Sequence, residues 1–280
     1  MNNSIKKILF LGPKGTYSET AAEKFREKLG LKQEFEPVST ITKIIETIDA
    51  DSSLAAILPI ENSIEGIVRA TLDGLFSAEN DIKIQAQTQI NIENCLISFS
   101  KKEEITHIIS HPQPLSQCQK YISANFGKDI ILEGASSTAA ATASLRERGR
   151  GFASIGNELC AKMYGIPVIE KNINDNKDNQ TRFILTSIND FKIENKTRTS
   201  LVFSTLQKPG ALACALEVFK KHNIDLIYIE SRPSKRVLGE YNFFVDLDKD
   251  INKLDETLNE LSAVTQYYRI LVSYPIMQGQ

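Results

Sequence analysis

Strand-like and helix-like runs alternate from the start of this chain, and no other feature narrows its fold so far. "KILFL" precedes "SETAAEKFREKL", and "QEFEPV" precedes "TITKIIETID", where Ile41, Ile44, Ile45 and Ile48 recur at helical spacing and share one face. The alternation continues through "LAAILPI", then "ITHIISH" before "PQPLSQCQKYISANF", "DIILEGA" before "SSTAAATASLRER", and "GFASIG" before "NELCAKMYG". This predicts an α/β domain with largely parallel strands. A polar connection at Ser77 to Asp81 divides it into two lobes, the second spanning about 80–170. The run Thr181 to Thr186 comes late enough to return to the first lobe, which implies a cleft between the lobes.

After the polar linker "SINDFKIENKTR" the order changes to strand, helix, strand, strand, helix, strand. Leu212, Leu216 and Phe219 face inward from one helix, and Ile251, Leu254, Leu258 and Leu261 from the other. The βαββαβ order is the ferredoxin-like plan. Its sheet edge and free face need covering, which predicts self-association as a homodimer or homotetramer.

With 33 Lys plus Arg against 35 Asp plus Glu, and no basic run interleaved with aromatics, nucleic acid is excluded as the expected partner. The first apolar segment, Ile8 to Leu11, is too short for a secretory signal, and no eighteen apolar residues follow one another. A soluble cytoplasmic protein with no membrane partner is expected. Cys95, Cys118, Cys160 and Cys214 stand apart and read as reduced core residues; three dispersed histidines leave no metal site. "GPKGTYS" lacks phosphate-loop spacing and no GxGxxG occurs, so no cofactor is expected.

Five segments sit where strands give way to helices or turns: "GPKGTYSE", "PIENSIEG", "SHPQPLSQC", "SST" and "NQTRF". Strand carboxyl ends are where open α/β sheets bind ligands. Each segment alone admits a simpler reading, in which Ser18 and Ser137 only cap helices and the prolines only start one. Together they supply more polar side chains than capping needs: Thr16 with Ser18, Glu61 with Asn62 and Ser63, Ser110 with His111, Gln113 and Gln117, Thr181 with Arg182. Helix-start N–H groups and an arginine fork suit a small acidic ligand. His111 reads either as a general base or as a residue that orders its loop. Glu61 reads as a buried proton donor, a cap, or an ion-pair partner of Lys14 or Arg69.

The ordered set "GPKGTYSE", "PIENSIEG", "SHPQPLSQC", "SSTAAA", "DNKDNQTRF", "KPGAL", "IESRPSK" and "GEYNFFVD" resembles the prephenate dehydratase family with its C-terminal ACT regulatory domain, from about Ile8 to Pro275. The resemblance implies a catalytic domain over 1–188, with two lobes similar to type II periplasmic binding proteins, a linker over 189–198 and an ACT domain over 199–280. It implies prephenate as substrate and its decarboxylating dehydration to phenylpyruvate, with feedback inhibition by phenylalanine at the ACT domain's dimer interface. Thr181 is then the catalytic residue, and Asn62, Ser110, Gln117, Ser137, Thr138, Arg182 and Phe183 bind substrate, Arg182 through a carboxylate. Glu61 and His111 are candidate proton sources. Gly210, Ala211, Leu212, Asp225, Glu230, Ser231, Arg232 and Pro233 are the effector residues.

Asp225 and Ile227 stand where the family commonly has asparagine and threonine. The few residues before Ile8 leave no room for the chorismate mutase domain fused to some relatives, so a stand-alone dehydratase is expected. Arogenate dehydratase and a non-catalytic small-acid sensor are the competing readings.

Overall fold

In this computed structural model, which describes residues 5–191, 193, 196–234 and 239–277, the chain is organised around three sheets. Parts of the expected linker, Lys235 of "IESRPSK" and both chain ends lie outside the described residues. The first lobe runs β1 (Lys7–Leu11), α1 (Tyr17–Leu29), β2 (Glu34–Val38), α2 (Ile41–Ala50), β3 (Leu54–Asn62), β4 (Gly66–Ile67), α3 (Arg69–Ser77) and β5 (Lys83–Asn91). The second runs β6 (Cys95–Ser98), β7 (His107–Ser110), α4 (Pro112–Gln117), α5 (Gln119–Asn125), β8 (Ile131–Gly134), α6 (Thr138–Arg148), β9 (Phe152–Gly156), α7 (Glu158–Tyr164) and β10 (Val168–Glu170). Then β11 (Gln180–Ser187) returns to the first sheet and lies antiparallel between β3 and β5.

The local reasons are ordinary. Thr40 Oγ accepts from Lys43 N at 3.2 Å to start α2, which buries Ile44, Ile45 and Ile48. α1 stops at Gly30, whose left-handed φ of 60° costs glycine little. The run Ala55, Ala56, Ile57, Leu58 is buried on both faces, between the core under α1 and the core under α2 and α3.

The lobe boundary differs from the expected one. β5 pairs with β11 and sends Ile84 into one first-lobe core and Ala86 and Ile90 into the other, so the second lobe's sheet spans only β6 to β10. Both sheets mix parallel and antiparallel pairs, because β11 in the first and β6 in the second run against their neighbours. "PQPLSQCQKYISANF" forms two helices instead of one, with the break at Cys118. The linker is less polar in effect than in composition, since Phe191 is buried in the first-lobe core and Ile193 packs on it.

The C-terminal domain comprises β12 (Arg198–Thr205), α8 (Ala211–Lys221), β13 (Leu226–Pro233), β14 (Tyr241–Leu247), α9 (Asp255–Val264) and β15 (Thr265–Tyr274), with sheet order β13-β14-β12-β15. That is the ferredoxin-like arrangement. Its second face is covered from within the chain: Val202, Phe244, Leu271 and Tyr274 join the core of α2 and α3. β16 (Ile276–Met277) then adds to the first-lobe sheet alongside β5. The domain is therefore riveted to the first lobe; β13 and β15 are its edge strands, and β13 leaves Ile227 and Ile229 exposed.

Cys95, Cys118 and Cys160 are buried as expected, but Cys214 is exposed on α8. Burial pushes the Cys118 thiol up to about 12 and raises those of Cys95 and Cys160. Only the thiolate reacts. A thiol reagent at mildly alkaline pH should therefore titrate Cys214 rapidly and the other three only after denaturation. Fast loss of a second thiol in the native protein would contradict this packing.

Candidate active site

β3 and β11 end together at the seam between the lobes, with Thr181 opposite Asn62 and Arg182 opposite Glu61. Asn62 Oδ1 accepts from the backbone N–H groups of Ile64 and Glu65, both at 3.0 Å, and this pair decides which end of the amide is oxygen. Nδ2 therefore faces the other way, donating to Thr181 Oγ at 2.9 Å, Asn179 Oδ1 at 2.8 Å and the Gln180 carbonyl at 3.1 Å. Asn179 Nδ2 in turn donates to Gln117 Oε1 at 3.2 Å, at the end of α4 in the second lobe. A hydrogen-bonded line thus runs from Thr181 across the seam.

Its chemical consequence lies in the Thr181 hydroxyl. An amide nitrogen can only donate, so Thr181 Oγ is the acceptor in its bond with Asn62 and keeps its own proton to give. The same seam holds buried polar atoms without a partner among the described residues, the side-chain nitrogens of Gln117, Asn157 and Asn174, and buries Tyr17 Oη and the Asn94 amide beside them. Asn94 and Asn174 lie on the two segments that cross between lobes and are joined there, Asn94 N donating to Asn174 Oδ1 at 2.6 Å. Asn157 opens α7, and α7 meets the first lobe closely: a Cβ built on Gly15 would fall 2.8 Å from Met163 Cε. Buried unpaired polar groups are rare, and several at one seam mark where a polar ligand or water completes the bonding.

Of the residues expected at the site, Thr181, Asn62 and Gln117 come together. Ser137 caps α6, accepting from Ala140 N at 3.0 Å, and Thr138 begins that helix. His111 caps α4 through Nδ1, 3.3 Å from Gln113 N, which is its loop-ordering reading. Ser110 is fully buried and donates to the Ile155 carbonyl at 2.7 Å, holding β7 to β9. Phe183 is also not at the cleft surface; it is packed in the core with Phe10, Phe25 and Leu185.

Arg182 departs furthest from expectation. Successive strand residues point to opposite faces, so with Thr181 turned to the seam Arg182 points to the C-terminal domain. There its Nη1 donates to Asp246 Oδ2 at 2.5 Å, its Nε lies 3.1 Å from Glu61 Oε2, and its guanidinium covers the Tyr228 ring at 5.3 Å. Burial opposes the charge, but Asp246, Tyr274 and Glu61 outweigh it and raise its pKa. A guanidinium so placed is not open to a substrate carboxylate. Glu61 likewise pairs with Arg182 and with neither Lys14 nor Arg69.

The effector residues separate within one chain. Gly210, Ala211 and Leu212 line a cavity of about 440 Å³ with Thr205, Tyr241 and Phe243. Ser231 and Pro233 lie beside it on β13, paired with Phe243 and Tyr241. Arg232 instead forms a bidentate pair with Asp73 of α3, Glu230 lies 3.4 Å from Tyr228 Oη, and Asp225 precedes the opposite end of β13.

Asn94, Asn157, Asn174, Asn179 and Tyr17 join the candidate site without having been singled out in the sequence. Asn179 opens "NQTRF" and Tyr17 stands within "GPKGTYSE", so two were flagged by position; the other three carry no local signal. No grouping of three or more His, Cys, Asp or Glu suited to a metal occurs among the described residues, and none of their helices is long and apolar enough to cross a membrane.

The fold and seam define a class: a two-lobed α/β protein with the hydrogen-bonded line Thr181–Asn62–Asn179–Gln117 across its seam and a ferredoxin-like domain locked to one lobe. The family model for prephenate dehydratase matches residues 8–190. A prephenate dehydratase of Methanocaldococcus jannaschii is 38% identical over 275 residues, covering 97% of this chain and 98% of that one. A bifunctional chorismate mutase/prephenate dehydratase of Aquifex aeolicus is 36% identical, covering 96% of this chain and 73% of its own length. The solved prephenate dehydratase of Arthrobacter aurescens in complex with L-Phe superposes with a TM-score of 0.84 at 30% identity, over 96% of this chain and 89% of that one. The chain belongs to the prephenate dehydratase family.

Proposed function

We propose that the seam takes prephenate and that Thr181 donates its hydroxyl hydrogen bond to the departing C4 oxygen. In the reaction the ring carboxylate leaves as carbon dioxide, and its bonding electrons aromatise the ring. The C4–O bond breaks, and the leaving hydroxide takes up one proton to become water. Aromatisation supplies the driving force, so the site needs mainly a donor at the leaving oxygen and a dry setting for the carboxylate that is lost. The observation that carries this reading is the oriented Asn62 amide, which leaves Thr181 as the donor. With Arg182 spent elsewhere, the carboxylates are held by first-turn N–H groups of α1 and α6 and by the unpartnered amides of Gln117, Asn157 and Asn174. His111 stays as a candidate proton source, through water, whereas Glu61 is held by Arg182 on the face away from the seam.

We also propose that the C-terminal domain is an ACT regulatory domain. Phenylalanine occupies the Gly210–Leu212 cavity, and a second copy docked on the β13 edge brings up the residues that one chain keeps apart. The support is the cavity at the α8 start, the exposed Ile227 and Ile229 on an open edge, and the L-Phe complex of the Arthrobacter relative. The periplasmic-binding-protein likeness of the two lobes belongs to the same proposal.

The test is to incubate the protein with prephenate and with arogenate side by side. Phenylpyruvate, followed by its ultraviolet absorbance, should form from prephenate. Phenylalanine formed faster from arogenate would reassign the substrate, and turnover of neither would leave the sensor reading.

A further inference from the structure

The strongest unexplained feature is the buried polar node around Arg182, which belongs to no cleft. Asp246 is 1% exposed; its Oδ2 takes Arg182 Nη1, and its Oδ1 bonds the Ser200 hydroxyl and lies 3.3 Å from Tyr274 Oη. Tyr274 Oη is also 3.3 Å from Gln87 Oε1 on β5. The node thus spans both domains, drawing on β3, β5 and β11 from one and on β12, β14, β15 and the Tyr228 ring of β13 from the other.

Two further observations give it a role beyond glue. First, the node is incompletely bonded: Arg182 Nε faces Glu61 Oε2 at 3.1 Å, but Arg182 Nη2 and Gln87 Nε2 are buried without a hydrogen-bond partner among the described residues. Unspent donors leave alternative arrangements within reach, whereas a fully satisfied network would be locked. Second, the β3–β11 register slips between Arg182 and Phe183, which leaves Ile60 of β3 as the extra residue, next to Glu61 and two residues from Asn62. Such irregularities re-aim side chains.

We infer that Arg182 is a positioning residue that transmits the state of the C-terminal domain to Thr181. A shift of β13 or β14 moves Tyr228 and Asp246, these draw the guanidinium and with it Glu61, and the bulge at Ile60 of β3 lets the displacement pass into the Thr181–Asn62 pair. Ser231 and Pro233 on β13, and Tyr241 and Phe243 on β14, flank the cavity assigned above to phenylalanine, so the same strands connect both ends. This rests on the reading of phenylalanine as effector.

The experiment uses full-length protein and the variant Asp246→Asn, which keeps the shape and removes the charge that holds Arg182. Calorimetry should show phenylalanine binding within about threefold of wild type, while the ratio of kcat/KM without and with saturating phenylalanine falls at least about fivefold, the lower size of typical coupling. Ser200→Ala, which loosens Asp246 without altering a charge, should give a smaller loss of inhibition and serves if Asp246→Asn does not fold. Binding and inhibition both unchanged in the folded variant would overturn the proposal even if thermal stability dropped, since the node would then be only a structural seam. Absence of phenylalanine binding to the wild type would instead withdraw the effector reading, and this proposal with it.

Discussion

Thr181→Ala should fold as the wild type does and lose about 10²–10³ in kcat, the usual effect of removing one donor aimed at charge developing in a transition state. The size follows from the geometry. Asn62 Nδ2 already supplies Thr181 Oγ with its incoming hydrogen bond, so the proton that the substitution removes has the seam as its outlet. KM should change much less than kcat, because the donor acts on the leaving oxygen more in the transition state than in the ground state. Thr181→Ser, which keeps the hydroxyl, should restore most of the turnover. Steady-state kinetics with prephenate decides the matter: a Thr181→Ala enzyme with half the wild-type kcat would remove Thr181 from the chemistry.

Arg182→Met should act first on stability. The substitution leaves the Asp246 carboxylate buried with only Ser200 and Tyr274 beside it, and breaking one partner of a buried ion pair typically costs about 3–5 kcal/mol. Arg182 and Asp246 belong to different domains, so the loss should also loosen the joint. Denaturant unfolding is the measurement. A midpoint unchanged from wild type, together with a raised KM for prephenate, would return Arg182 to the substrate. The double variant Arg182→Met, Asp246→Leu should recover much of the lost stability, because two apolar side chains leave no charge unpaired.

The chain's local chemistry determined a good deal. Ile44, Ile45 and Ile48 could only be one buried helix face, the apolar run Ala55–Leu58 could only be an inner strand, and the βαββαβ order of the last third admitted one small fold. The ordered motifs carried the family, and Thr181, Asn62 and Gln117 were legible because each motif held a polar group at a strand or helix end. What sequence alone could not decide was direction. "TRF" reads as three candidate site residues in a row, yet strand alternation and the packing on either side of β11 send Thr181 to the seam, Arg182 to the other domain and Phe183 into the core. Asp246 stands 64 residues from Arg182, and nothing local announces their meeting. Asn94 and Asn174, on two separate crossings, become neighbours only when the lobes close on each other. The return of β5 and β16 to the first sheet is of the same kind. Helices and strands follow from interactions within a few residues, whereas the facing of a side chain and the partner of a buried charge follow from contacts between distant segments, which only the packed tertiary structure brings together.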